Sequence, residues 1–460
     1  MMKKFLLVTF PCWLMLSMNA CTSTAPLQEK IVADAFNQTA IPVAWQATKT
    51  AGEFDQQALG FDVSPELQAL MKEAIAYNVD LKIASARIDQ SRAVLKSVGG
   101  SLLPNVGVGA QTGTSTLPTS TSAISGFGLI ASWDLDLWGR VRSDQSASQA
   151  RLMSAQLDSA FAKQSIAAQV VKSWIVISEL MQQVQLSENM VAIANQQLDL
   201  MKVGLNVGRN SQQEILLNES LLRNYQSQLI ANQQSLGNAK RALEILLGRY
   251  PSTQIQAGQT FPKIVSELPA GIPSQILSRR PDVLAAEERF KASFQDVEAA
   301  KRAKLPSIKI TGGIGYIENS AIQLSNAISN PISSLTAQLL MPLFLGGQLD
   351  AQVEAKTASQ TQSLAQYQKS ALNALSEVES GLANDRLLRQ RELILQAQLQ
   401  ALQSSVKYAL IQKEVGKGDM FQYLQQQLNA NSSQANLLRI QSDHLLNRIS
   451  LHQALGGQFI

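Results

Sequence analysis

The chain has 460 residues, enough for two or three ordinary domains, with charged residues at 16% and a formal net charge of +4. Lys3 and Lys4 supply part of that charge, and no Lys/Arg cluster is interleaved with aromatics, so the composition excludes a nucleic-acid-binding surface. No run of eighteen apolar residues occurs, which excludes helical membrane spans.

Residues 1–20 have a basic start, an apolar stretch from Phe5 to Leu16 interrupted by Pro11, and the small Ala20 before Cys21, the layout of a secretory signal. Cys12 would leave with the signal, so Cys21 would remain as a lone cysteine in a compartment that favours disulfides. Met18-Asn19-Ala20-Cys21 is similar to the lipobox of bacterial lipoproteins, and acylation gives Cys21 a use; the alternative is an ordinary signal cut near Ala20. Each buried CH₂ of an acyl chain would add ~0.8 kcal/mol to a membrane anchor. Thr22 rather than an acidic residue follows, which in lipoproteins generally points to the outer membrane.

Thr22 to Val63, rich in Thr, Ala and Gln with Pro26 and Pro42, reads as an extended lead segment. Ser64-Pro65-Glu66-Leu67 is a helix start with Ser as cap and Pro in the first turn, and that helix is expected to run to about Val98, stopped by Gly99-Gly100. Two strands are expected next. Asn105 to Gln111 alternates Val106, Val108 and Ala110 with Asn and Gly, and Ile124 to Leu137 sets Phe127, Leu129, Ala131, Trp133, Leu135 and Leu137 on one face. Thr112 to Ser122, rich in Thr, Ser and Gly, reads as the turn between them.

The rest of the chain repeats. Gly139, Gly208 and Gly248 are answered by Gly347, Gly416 and Gly456, each pair 208 positions apart (347−139, 416−208, 456−248). Between Gly139 and Gly208, and between Gly347 and Gly416, lie stretches without proline, rich in Gln, Ala, Ser and Leu, which read as helices of roughly 100 Å at ~1.5 Å per residue. The second copy has its own helix at Pro281 to Lys304 and strands at Ser307 to Ile317 and Ser333 to Leu343. The expected division is a signal at 1–20, a lead segment at 21–63, repeat 1 at 64–248, a linker at 249–280, repeat 2 at 281–456 and a short end at 457–460.

Strands of ten or so residues with outward apolar side chains cross a bilayer only in a closed barrel, because an open edge in lipid leaves backbone groups unpaired. Four strands cannot close one, so several chains must contribute together. The long helices carry narrow seams at alternating spacings of four and three. One runs through Leu222, Tyr225, Leu229, Asn232, Leu236, Ala239, Leu243 and Leu246. Another is Leu395, Leu399, Leu402, Val406 and Ala409, and a third Leu424, Leu428, Asn431, Ala435, Leu438, Ser442, Leu445 and Ile449. The remaining faces are Gln, Asn and Ser, which suits a wall wetted on one or both sides.

Four segments carry a resemblance that extends from Cys21 to the C-terminus. They are Trp133-Asp134-Leu135-Asp136-Leu137-Trp138-Gly139-Arg140-Val141-Arg142, Arg279-Arg280-Pro281-Asp282-Val283-Leu284-Ala285-Ala286-Glu287, Leu305-Pro306-Ser307-Ile308, and Pro342-Leu343-Phe344-Leu345-Gly346-Gly347. The chain resembles the TolC-like outer-membrane factors, and within them the NodT-like lipoproteins that serve pumps of the resistance-nodulation-division class. The resemblance implies a mostly α fold with a β-barrel portion. In it a homotrimer builds a barrel in the outer-membrane lipid, four strands per chain, continuous with a periplasmic helical tunnel. An equatorial belt would include Ala25 to Val63, Tyr250 to Pro281 and the C-terminal end. The partners so implied are a periplasmic adaptor and an inner-membrane pump, and the only attached group is the lipid on Cys21.

In such proteins the far helix turns form a periplasmic mouth. Here those turns are Val207-Gly208-Arg209-Asn210-Ser211 and Val415-Gly416-Lys417-Gly418-Asp419. Asp419 stands where relatives carry a ring-forming acid, and three copies converging on an axis would repel one another and select cations. The alternative is a carboxylate that caps the following helix, with Ser211 as its counterpart. Arg209 and Lys417 sit nearby to offset charge, and a bond from Arg209 to Glu414 of a neighbouring chain is a further expectation. At the strand-to-helix junction, Trp133, Asp134, Asp136, Gly139, Arg140 and Gly347 are marked, with pairing of the two acids to Arg140 or Arg142 expected for structural reasons.

His444 and His452 are eight apart on one helix, too far for one metal, and are expected at solvated or seam positions. Gly107, Gly109, Gly312, Gly313 and Gly315 lack the helix-opening context of a nucleotide loop and read as strand glycines. No Walker motif, nucleophile elbow or metal-ligand cluster occurs, so no enzyme is expected. The sequence is thus read as a passive exit duct for small molecules delivered by a pump. The rival readings are a coiled-coil lipoprotein rod without a through-channel and a duct for type I protein secretion.

Overall fold

The computed structural model describes residues 30–31, 42, 44–47, 62–117, 120–256, 258, 261–264, 271, 273–318 and 331–459. The signal segment, Cys21 and most of the lead segment lie outside them. The chain divides into the units Met1–Ala40 and Ile41–Ile460, and the second holds the sheet and all the long helices.

The elements of this second unit, in order, are α1 (Pro65–Tyr77), α2 (Val79–Gly100), β1 (Asn105–Leu117), β2 (Ser120–Leu135), α3 (Arg140–Asn206), α4 (Gln212–Leu246), α5 (Pro273–Arg279), α6 (Pro281–Arg302), β3 (Ser307–Glu318), β4 (Ile332–Leu340), α7 (Gln348–Glu414) and α8 (Met420–Ala454). The duplication keeps one register from the long helices onward: α7 and α8 begin and end 208 residues after α3 and α4 (348−140, 414−206, 420−212, 454−246). Helix α6 follows α2 by 202 (281−79, 302−100). The six marker glycines all have positive φ, from 71° to 82°, where a Cβ is penalised by roughly 1–2 kcal/mol. They open α3 and α7, turn the chain at the far ends and close α4 and α8.

One expected helix is two. Asn78 interrupts it, ending α1 and starting α2: its side-chain oxygen accepts from the amides of Asp80 (2.9 Å) and Leu81 (3.2 Å). Its Nδ2 donates to the carbonyl of Leu246 at the end of α4 (2.9 Å). Helix α4 thus ends where α2 begins, and the two follow α3 one after the other. Gly99 and Gly100, expected to stop the helix, are its last turn; the chain leaves it through bonds from Ser101, Leu102 and Leu103 back to Val98, Gly99 and Gly100.

Residues 112–117 and 120–122, expected in a turn, extend the strands instead, with Thr112 paired to Ser125 and Thr114 to Ala123. Threonine favours the pleated conformation, and the pairing runs as far as Leu117 with Ser120. The last strand ends at Leu340 rather than Leu343, just ahead of Pro342, which cannot donate to a ladder.

The helical core is concentrated midway along α3, where Ala167, Val170, Val171, Trp174 and Ile175 meet Leu67, Met71 and Ala74 of α1, Leu243 and Leu247 from the end of α4, and Leu445 and Ile449 of α8. At ~1.5–3 kcal/mol per fully buried large aliphatic side chain, this level is the strongest in the unit. A second cluster joins Trp45 from the lead segment to Ile276, Val378, Leu382, Leu451 and Leu455. The adjacent amides of Gln46 and Ala47 donate to the two carboxylate oxygens of Glu379 (2.8 and 2.9 Å).

Candidate functional site

The four strands form one antiparallel sheet in the order β1-β2-β3-β4. Its register sorts the residues by face, because paired residues share a face and neighbours in sequence alternate. Val106-Ala131-Gly312-Leu335, Val108-Leu129-Ile314, Ala110-Phe127-Tyr316, Trp133-Ile310-Ala337 and Leu135-Ile308-Leu339 fall on one side. Asn105-Ser132-Thr311-Thr336, Asp134-Lys309-Gln338, Gly107-Ile130-Gly313-Ser334, Gly109-Gly128-Gly315-Ile332 and Ser307-Leu340 fall on the other. The strand faces expected from the sequence therefore join into one mostly apolar face, broken by Ser333 and by the row Thr112-Ser125-Glu318, and it is bare: Val108 is 79% exposed and Leu335 81%. Among the described residues no helix is long and apolar enough to cross a membrane. The expected strand glycines are confirmed as such; Gly128 and Gly315 face each other so closely that a Cβ on either would fall within 3 Å of the opposite backbone.

At the junction of sheet and helices, Asp136 is the helix cap. Its Oδ1 and Oδ2 accept from the amides of Val141 (2.9 Å) and Arg142 (3.0 Å), where a carboxylate also meets the positive end of the α3 dipole. The Arg142 guanidinium lies at 4.0 Å from the same carboxylate, whereas Arg140 pairs with Asp144 at 3.4 Å. Asp134 shares no ion pair with Arg140 or Arg142. Trp133 donates its indole N–H to the Leu102 carbonyl (2.9 Å) and Trp138 to that of Pro306 (2.6 Å), tying the strand entries of both repeats to the α3 start. Arg302 donates to the carbonyl of Gly139 (2.8 Å) and to Ser143 Oγ (2.5 Å). The second copy, with Phe344 at the position of Asp136 (344−136 = 208), lacks the acid cap and opens α7 at Gly347 with Asp350 in the first turn, paired to Lys304.

The two far turns are alike. The amides of Arg209 and Lys417 bond to the carbonyls of Gly204 and Gln412, both at 2.8 Å, around the left-handed Gly208 and Gly416. They differ at the cap that follows. Ser211 and Glu214 form a reciprocal capping box, and the bonds from the Ser211 amide and hydroxyl hold the exposed Glu214 carboxyl below the usual range. Asp419 accepts from the Gln422 amide at 2.7 Å through Oδ1 alone. Arg209, Glu414 and Lys417 are all exposed, and within the chain Arg209 and Glu414 form no ion pair.

The helices lie side by side in the order α4-α3-α8-α7. The seam positions expected in α8 are buried or half-buried throughout, as are those of α4 and α7. Of the two positions expected for the histidines, solvated or seam, neither ring is solvated, and His444 lies at the α7–α8 seam. His444 is 3% exposed and His452 fully buried. His452 Nε2 meets the carbonyl of Gln458 (3.1 Å), with Phe459 edge-on to the ring. His444 stands between two carboxylates of α7, Glu392 (3.0 Å from Nδ1) and Asp385 (3.2 Å from Nε2), and Arg448 also binds Asp385 (2.9 Å). The spacing of Asp385 and Glu392 by seven and of His444 and Arg448 by four on successive helices is the sequence signal for this cluster. Glu244 is a further residue that sequence reasoning missed: buried, it accepts from the amides of Thr253 (2.8 Å) and Ile255 (3.1 Å) and fixes the start of the linker. Among the described residues no group of acids, histidines or cysteines is disposed to hold a metal ion.

Known proteins share this arrangement. The model of the family described as outer membrane efflux protein matches residues 70–249 and 272–457. The cation efflux system protein CusC of Escherichia coli K12 is 26% identical over 403 residues, covering 86% of this chain and 88% of its own. The pyoverdine export outer membrane protein OpmQ of Pseudomonas putida KT2440 is 30% identical over 468 residues, covering 96% of each. A crystal structure of CusC superposes with a TM-score of 0.78 at 25% identity, covering 91% of this chain and 97% of that one. With a duplicated body, a sheet bare on its apolar face and two long helical hairpins, the chain belongs to the outer membrane efflux protein family, whose members are outer-membrane channels of efflux pumps with the TolC-like fold.

Proposed function

We propose that three copies of this chain form the exit duct of a tripartite efflux system, in which an inner-membrane pump of the resistance-nodulation-division class and a periplasmic adaptor deliver small molecules for passive release outside the cell. The observation that carries the reading is the sheet: one face mostly apolar and bare, the other built mainly of polar residues and glycine with Ile130, Ile332 and Leu340 among them, and β1 and β4 at its two edges. Three copies supply twelve strands (3 × 4), each β4 meeting the next copy's β1. The helices are open in the same sense, with α4 at one side and α7 at the other.

The far turns are the mouth. Asp419, Gly416, Lys417, Gly208, Arg209 and Ser211 line it, with Asp419 as the ring acid. The cap bond uses Oδ1 of Asp419, which leaves Oδ2 for the axis. Beside the mouth, Leu200 and Val203 of α3 and Val207 just past its end form an exposed stripe, repeated 208 residues later by Tyr408 and Ile411 of α7 and Val415 just past its end. Two like stripes per chain suit an adaptor that docks in matched positions around the end. The junction residues Trp133, Asp134, Asp136, Gly139, Arg140 and Gly347 hold barrel and tunnel in register, and we assign the repeats and linker the bounds 64–248, 249–280 and 281–456.

Cys21 carries the lipid that adds a second anchor, and mass spectrometry of the mature N-terminus that found no acyl chain would remove it. No catalytic step or cofactor is assigned to the chain. Relatives are named for cation, pyoverdine and toluene export; the pump, not this polar duct, selects the cargo. The test is the chain count and averaged electron-microscope image of the detergent-purified protein. An elongated trimer, hollow end-on, is expected; a monomer or a filled rod would sink the reading.

A further inference from the structure

The α3–α4 and α7–α8 hairpins are copies, so each position in one has a counterpart 208 residues away in the other. Asp385, Glu392, His444 and Arg448 stand where the first hairpin has Ile177, Val184, Leu236 and Lys240 (385−208, 392−208, 444−208, 448−208). Ile177 is fully buried, and Leu236 packs against the same apolar cluster. One copy closes this level of its seam largely with aliphatic side chains, and the other with two acids, a histidine and an arginine. Replacing buried ionic groups by well-packed apolar ones is often neutral or stabilising. The first hairpin demonstrates that the fold accepts the apolar solution, so stability alone does not call for the ionic one.

The geometry also fixes the protonation that closes it. Both ring nitrogens of His444 face carboxylate oxygens, which only accept, so both must carry protons. A neutral ring would turn a lone pair toward one carboxylate. Arg448 on α8 donates to the same Asp385 oxygen as the ring (2.9 Å), and Gln441 and Gln396 donate to the other oxygen of Glu392 (both 3.2 Å), so Glu392 Oε2 is the oxygen that the ring serves. On the α3 side, the charged group at this level is Glu179, which interacts with Ser442, Asp443 and Arg439 of α8 instead of with His444.

We propose that Asp385, Glu392, His444 and Arg448 form a proton-dependent clasp between α7 and α8, closed while the imidazole is charged and loosened at alkaline pH, in the hairpin that carries the Asp419 turn. Its consequence for export rests on the reading of that turn as the mouth. Burial opposes the charge on His444, but the bonds to Asp385 and Glu392 outweigh it and lift the pKa from 6.5 to about 8. A group raised on folding contributes fully below its unfolded pKa and loses its contribution as pH rises through the folded one. The clasp is therefore strong below pH 6.5 and lost above about pH 8. Asp385 and Glu392 are both held below the ordinary carboxylate range and stay ionised throughout: for Asp385, burial is outweighed by His444 and Arg448, and for Glu392 the bond from His444 leads.

The test is hydrogen exchange of the full-length purified assembly at pH 6.5 and 9, corrected for intrinsic rates, comparing segments 385–392 and 441–449 with their internal controls 177–184 and 233–241. From pKa values of 6.5 and about 8, protection in the α7–α8 segments is expected to fall about fifteenfold relative to the controls. His444→Gln should abolish the difference. The variant Asp385→Ile, Glu392→Val, His444→Leu, Arg448→Lys, which copies the first hairpin, should be protected at both pH values. An equal response of both hairpins, or one that survives in His444→Gln, overturns the clasp. If exchange responds as expected while conductance in planar bilayers is the same at the two pH values, the clasp stands and the reading of the turn as the mouth falls.

Discussion

Arg280 occupies in the second repeat the place that Asn78 occupies in the first (280−78 = 202), and each donates to the last carbonyl of the returning helix: Arg280 to Ala454 at 3.2 Å, Asn78 to Leu246 at 2.9 Å. Both residues are buried. Asn78 does the task with one amide; Arg280 does it while held by Asp282 (3.0 and 2.7 Å) and Glu377 (2.6 Å). Removing one partner of a buried ionic group costs roughly 3–5 kcal/mol, reduced here because Glu377 is half exposed, whereas loss of a capping amide costs ~1–2 kcal/mol. Urea unfolding of the detergent-solubilised protein should rank wild type above Asn78→Ala, and that above Arg280→Ala. Equal midpoints for the two variants would mean that the ionic partners of Arg280 add nothing to the joint.

The marker glycines are not equivalent in their surroundings. A Cβ on Gly208 meets nothing within 4 Å, while on Gly248 it would lie 2.7 Å from the carbonyl oxygen of Tyr77. Gly208→Ala should therefore lose only the ~1–2 kcal/mol of a left-handed residue. Gly248→Ala must in addition push apart the ends of α4 and α1, and its thermal midpoint should fall at least twice as far. A milder effect at Gly248 than at Gly208 would contradict the packing.

Cap and charge at Asp419 are separable because the first repeat already uses serine at the corresponding Ser211. Asp419→Ser should keep the bond to the Gln422 amide and the stability of α8, yet reduce cation preference in planar bilayers under a salt gradient. Asp419→Ala should lose the preference together with ~1 kcal/mol of cap. Unchanged reversal potential in Asp419→Ser would exclude Asp419 as a ring charge.

Leu335 and Thr336 are adjacent in sequence and on opposite sides of the sheet. Arginine at a lipid-facing site near mid-bilayer costs roughly 2–4 kcal/mol, and in a wetted lumen far less. Membrane-inserted yield should drop for Leu335→Arg and hold for Thr336→Arg. The reverse ranking would turn the barrel inside out.

The duplication, the long helices and their seams are legible from local pattern, because glycines at positive φ and three-four spacings are set by a residue and its near neighbours. The alternation within strands is legible for the same reason, since a pleat repeats every second residue. Asn78 is not legible as a break, because its side chain is held by the Leu246 carbonyl, 168 residues away. His444 reads as bland in the sequence because the carboxylates around it arrive from another helix, more than fifty residues earlier. Asp136 shows the boundary between the two kinds of knowledge: the sequence marks it as structural and offers Arg140 or Arg142 as its partner, but that its two oxygens cap α3 depends on how the chain turns at Gly139. Sequence by itself determined periodicity and hence the long helices and the strands, though not the break at Asn78 or the short α5. Tertiary structure decided which groups titrate, which caps are filled and which edges stay open, because those depend on partners that chain order does not bring together.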